Sequence, residues 1–229
     1  MAQSDHFNWL YKRPVLLGFI IIALVIVTLA GVKYLASRHY RDTIKNLEQR
    51  LTFVRSKLES ESLRQYEIDK VISIIELYNR DLDQTRKYEI ADEIYNMTRQ
   101  YPNLNTALLT AVITTQTRGT WQPGYMTENG RMGLFALLPV TGMLIASHTQ
   151  VIWSSPDVVL TDAIYNIRIG SHYLSSLITT YDIDGGLVAL MESEKTAARW
   201  KHSGKKNSYL PTEIRSHLEQ LYNLYQEQK

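Results

Sequence analysis

The chain has 229 residues, of which 45% are hydrophobic, with a net charge of +2 and no cysteine. So small a charge provides no strong field for nucleic acid or anionic substrates, and no basic stripe is interleaved with stacking aromatics, which sets nucleic-acid binding aside. Disulfides and thiolate metal sites are excluded. His6, His39, His148, His172, His202 and His217 are scattered without ligand-type spacing, so neither a metal nor a cofactor is expected.

Residues 1–14 read as a short N-terminal tail. From Val15 to Val32 the run VLLGFIIIALVIVTLAGV carries no charge and no polar stripe, and aromatic and basic residues flank it in NWLYKRP and KYLASRHYR. A cleaved signal peptide would have a shorter apolar region followed by a small-residue cleavage site, so the pattern predicts a transmembrane helix over 15–35. Lys33, Arg38, Arg41 and Lys45 outnumber Lys12 and Arg13, which mildly favours a cytoplasmic C-terminus by charge alone.

No glycine lies between Gly31 and Gly119 and no proline between Pro14 and Pro102, so residues 36–88 read as a helical stalk. Counted in sevens from Ile44, the seam positions are Ile44, Leu47, Leu51, Val54, Leu58, Glu61, Gln65, Ile68, Ile72, Ile75, Asn79 and Leu82, nine of the twelve aliphatic. That spacing predicts a coiled coil, with Ile44, Leu47, Leu51, Val54 and Leu58 as the seam of a homo-oligomer. The extra apolar residues Val71, Ile74, Leu77 and Tyr78 indicate that the later turns also pack on the following domain.

Residues 89–229 read as a mostly helical domain. YEIADEIYNMTRQ and NTALLTAVITTQT form two helices separated by YPNLN, with Asn105 placed to cap the second. A glycine-containing loop runs from Gly119 to Gly133. A helix enters at Pro139 and Thr141, another spans Leu160 to Tyr181, and a closing helix follows Pro211; no convincing alternating strand intervenes. The fold class is therefore mainly α.

Three ordered motifs in this domain resemble the lytic transglycosylases, whose soluble-type domain shares the goose-lysozyme fold and cleaves peptidoglycan strands. Ala111 to Thr117, AVITTQT, is similar to the family's Ala-Ile-Ile-x-x-Glu-Ser, and Gln122-Pro123 to its Asn-Pro. TENGRMGLFALLPVT, Thr127 to Thr141, is similar to Ser-x-x-Gly-Ala-Met-Gly-Leu-Met-Gln-x-x-Pro-x-Thr. Asn166, Ile167, Gly170, Tyr173, Leu174 and Leu177 match Asn-Ile-x-x-Gly-x-x-Tyr-Leu-x-x-Leu in full. The likeness covers about Glu89 to Tyr225.

The departures fall where the resemblance places chemistry. The family's single catalytic glutamate aligns with Gln116, an amide that delivers no proton, so the general-acid contribution of roughly 10²- to 10⁴-fold is lost. The glutamine of Gly-Leu-Met-Gln is Ala136, and the family's Ala-Ala-Tyr-Asn-Ala-Gly has become MESEKT, Met191 to Thr196. A glycan groove would then involve Gln116, Trp121, Met132, Gly133, Ala136, Tyr173 and Tyr209, with no catalytic residue. Trp121 and the tyrosines serve equally as core anchors. Glu128, Glu192 and Glu194 are the carboxylates an active enzyme with a relocated acid would use. The resemblance, taken with the apolar run near the N-terminus, thus implies an inactive, membrane-anchored scaffold or peptidoglycan-binding module at the bacterial inner membrane. It would be single-pass, with the C-terminal domain periplasmic and with peptidoglycan or envelope proteins as partners.

Overall fold

The computed structural model describes the backbone over residues 7–202 and at 216, 219, 220 and 223. Side chains are described over 18–19, 21–34 and 45–199, at 201, and at those last four positions. Tyr209 and the helix expected after Pro211 therefore lie outside the described residues, those four positions apart. Up to residue 202 the described helices are, in order, α1 (Phe7–Tyr78), α2 (Gln84–Gln100), α3 (Thr106–Gln116), α4 (Pro139–Ala146), α5 (Pro156–Val159), α6 (Ala163–Met191) and α7 (Glu194–His202). The chain divides into two units, Met1–Glu61 and Ser62–Lys229.

In the first unit α1 begins at Phe7, inside the expected tail, and runs through Pro14, whose missing N–H removes a single intrahelical bond. Phe19, Ile21, Ile22, Leu24, Val25, Ile26, Val27, Leu29 and Val32 are each at least half exposed. Among the described residues no helix is long and apolar enough to cross a membrane. Further along, Leu47, Leu51, Val54 and Leu58 are 51–69% exposed. Arg55 and Glu59 pair across one turn at 2.9 Å.

The second unit begins at Ser62, well before Glu89, because the last turns of α1 supply core: Ile68, Val71, Ile74 and Ile75 are almost wholly buried. Leu77, expected to pack with them, is exposed. The helix then stops at Tyr78 although no glycine or proline forces it to. Asn79 donates through Nδ2 to the Thr120 carbonyl (2.7 Å) and accepts from the Leu82 amide, making a turn that needs neither residue. Seam positions Asn79 and Leu82 thus fall outside the helix. Asp83 restarts it by accepting the Arg86 amide, a bond that also holds its carboxyl below the usual pKa.

Asn105 caps α3 as the sequence predicts, accepting the Leu108 amide at 2.8 Å. The central helix α6 packs against α2, α4 and α7. Asp162 caps its start with two amide bonds. Asp182 (φ 67°) breaks it one residue after the expected end, and its carboxylate accepts the Gly185 amide to begin the second half. Two isolated bridges, Met126–Met132 and Met132–Leu137, pin the loop between α3 and α4. No strand occurs among the described residues, so the domain is mainly helical.

Candidate functional site

Helix α3 and its C-cap carry four threonines that are neutralised locally. Thr110, Thr114, Thr115 and the cap Thr117 each donate to the carbonyl four residues back at 2.7–2.9 Å, which lets a largely buried helix contain hydroxyls. Arg118 (φ 51°) and Gly119 (φ 77°) then turn left-handed and end the helix immediately after Gln116 and its cap. A Cβ on Gly119 would stand 2.9 Å from the Tyr78 ring, so glycine is required twice over. Gln116 sits on the last turn, half-buried, with its Nε2 shut from solvent and without a hydrogen-bond partner.

The loop that follows is suspended from Asn166, which is fully buried. Its Oδ1 accepts the Phe135 amide (2.8 Å), and its Nδ2 donates to the carbonyls of Leu160 (2.9 Å) and Met132 (3.2 Å). Gly133 (φ 77°) lies so close to that amide that a Cβ would come within 2.0 Å of it, and a Cβ on Gly170 would come within 2.2 Å of the Phe135 ring. The motif residues shared with the resembled family therefore hold the loop on α6.

This arrangement corrects much of the expected groove. Trp121 and Ala136 have no exposed surface, Met132 is 4% exposed and Gly133 is buried, so none offers a face on which a sugar could rest. Trp121 is the loop's anchor in the core. Ala136 is strained (φ 44°) at the position the family gives to glutamine.

Of the expected groove residues, Tyr173 does face a cavity, among neighbours that were not expected there. Arg131, Leu137, Thr141, Tyr173 and Glu194 line a space of about 310 Å³ where the loop meets α4, α6 and α7. Tyr173 donates to Glu194 Oε1 at 2.8 Å. Its pKa is pushed up, first by burial and then by that bond. Arg131 reaches the carbonyls of Leu190 (2.9 Å), Glu192 (3.3 Å) and Ala136 (3.4 Å), clasping the MESEKT segment to the loop. Sequence reasoning passed over Arg131. Its signal was a cation standing where the family motif has alanine. Glu192 is exposed and lines the cavity, held there by its carbonyl, whereas Glu128 is exposed and is not part of the lining. No group of three or more potential metal-ligating side chains occurs among the described residues.

Fold and site together define a mainly helical domain whose loop between α3 and α4 is carried by α6, with a small cavity of mixed polar and apolar lining beside it. No protein-family model matches the sequence, and no curated protein does. Among solved structures the chain is similar to the 70 kDa soluble lytic transglycosylase of Escherichia coli, with 15% identity and a TM-score of 0.45 over 62% of this chain and 25% of that one. The alignment thus spans a quarter of that protein's length.

Proposed function

We propose that this chain is a membrane-anchored, catalytically inactive transglycosylase-like protein that acts as a scaffold or peptidoglycan-binding module on the outer side of a bacterial inner membrane. The observation that carries the reading is Gln116. An amide occupies the position where the motif resemblance expects the acid, and its nitrogen is buried without a partner, so the position neither supplies a proton nor shows a ready route for one. The anchor is supported by the aliphatic residues exposed on α1 from Phe19 to Val32, and the outer side by the location of peptidoglycan, against the bare charge count. Self-association is supported by the heptad spacing and the exposure of Leu47, Leu51, Val54 and Leu58. The occupant of that seam is a second copy, and Leu51→Glu with Val54→Glu should convert an oligomer to a monomer in sedimentation.

The test of function is incubation of the purified protein with peptidoglycan sacculi. Co-sedimentation without soluble muropeptides is expected; release of 1,6-anhydro products would overturn the reading. One observation favours a second reading, an active enzyme with a relocated acid: a carboxyl, Glu194, lines the 310 Å³ cavity and accepts a hydrogen bond from the Tyr173 hydroxyl there. If sacculi are cleaved and Glu194→Gln abolishes cleavage, that reading replaces the first.

A further inference from the structure

A second cavity, of about 330 Å³, lies on the other side of α6, against α2 and the connection from α4 to α5. Of the residues of α6, Arg168 lines it, roughly 140–160° around the helix from Asn166, Gly170 and Tyr173, and no lining residue is shared with the space at Glu194. The volume stands at the small end of the roughly 300–1,000 Å³ range of ligand pockets.

We propose that this cavity binds a neutral saccharide unit, at a site separate from the transglycosylase-like groove and independent of it. The charge balance comes first. The carboxylate of Glu93, its side chain 8% exposed, takes two bonds from Arg168, at 2.7 and 3.3 Å, so the two charges that line the space cancel. A phosphate or carboxylate ligand would find no uncompensated cation there. The rest of the polar lining is Asn96, Gln100, Gln150 and Thr149, side chains that both donate and accept, which suits a ligand dense in hydroxyls and not an acyl chain. The third feature is a pair of lining rings, Tyr101 and His148, each in contact with the ring of His172. Tyr101 meets His172 edge-on at 5.7 Å, with 3.1 Å between its hydroxyl and Nδ1, and His148 lies parallel to His172 at 5.9 Å. His148 is exposed, so its outer face is open to the C–H face of a pyranose ring. Finally, Gln150 holds φ at 56°, a strained setting for a residue that is not glycine, at the cavity's edge.

The experiment uses the full-length protein in zwitterionic micelles, free of glycoside detergent, with ¹³C-labelled histidine. N-acetylglucosamine and its β-1,4 trimer are titrated while the His148 and His172 ring resonances are followed. Saturable movement of both is expected. Glucosamine, a cation, and glucuronate, an anion, should bind several-fold more weakly. Asn96→Ala with Gln100→Ala should weaken binding by about tenfold or more. Gln150→Gly, which relaxes the strained backbone and removes one amide, should weaken it too and guards against a double variant that fails to fold. Silent histidines overturn the proposal, and stronger binding of either charged sugar overturns the neutral class. Silent histidines with intact sacculus co-sedimentation would leave the groove reading standing, whereas responsive histidines without co-sedimentation would remove only that reading.

Discussion

Replacing Gln116 tests the proposal that this position is a catalytic relic. Its Nε2 is buried and unpartnered, and such an orphan costs roughly 1–3 kcal/mol. Methionine has nearly the same length and helix propensity and carries no donor, so Gln116→Met should stabilise the protein by roughly 1–2 kcal/mol, raising the melting temperature by about 2–8 °C for a domain of this size. Calorimetry of the purified protein measures it. The companion Gln116→Glu places a carboxylate where the amide nitrogen had no partner, and desolvation raises its pKa above the unfolded value of about 4.3. Because the folded form then holds its proton more tightly than the unfolded chain, the variant should lose stability relative to the parent as pH rises from about 4.3 to the folded pKa. It should still fail to cleave glycan, since Ala136 and the 191–196 segment do not replace the groups that orient substrate, and misplacement by about 1 Å costs roughly 10²-fold. A Gln116→Met variant that melts at or below the parent's temperature would refute the relic argument, and efficient cleavage by Gln116→Glu would show a groove kept for glycan.

Three further outcomes are expected. Asn166→Ala leaves the Phe135 amide unpaired and takes a donor from the Leu160 carbonyl, while Met132 keeps its bond from Leu137, so a loss of roughly 2–5 kcal/mol is expected in a thermal melt; a change under about 1 kcal/mol would contradict it. Arg131→Ala should speed amide hydrogen exchange in residues 190–196 with little effect on α2, and unchanged exchange there would show that the three carbonyl contacts do not restrain the segment. Burial, and then the neighbouring His148, hold the His172 pKa below its ordinary 6.5, so the unfolded chain binds the proton first. Stability should therefore fall as pH drops below about 6.5, and His172→Gln should flatten that limb; a parent curve level from pH 7 to 5 would refute it.

The sequence made the helical class legible because hydrophobic spacing and caps are local: Asn105 caps α3, Pro139 opens α4, and the expected end at Tyr181 lies one residue before the Asp182 break. The stop at Tyr78 was not legible, since it depends on Asn79 reaching the Thr120 carbonyl 41 residues away. The same limit applied to the site. A motif names which residues lie together, yet whether Trp121 turns its ring outward or into the core is decided by tertiary packing, and here the core took it. Arg131 and the cavity at Glu93 and Arg168 were invisible for a related reason, because each joins elements distant in sequence.

The Arg131 clasp grips main-chain oxygens and no side chain. Every residue type presents that same carbonyl, so the tether places almost no demand on which amino acids occupy positions 190–192. A change of side chain at position 192, exposed beside the cavity, would leave the tether intact, so what the segment presents to that space can be rewritten without releasing the backbone.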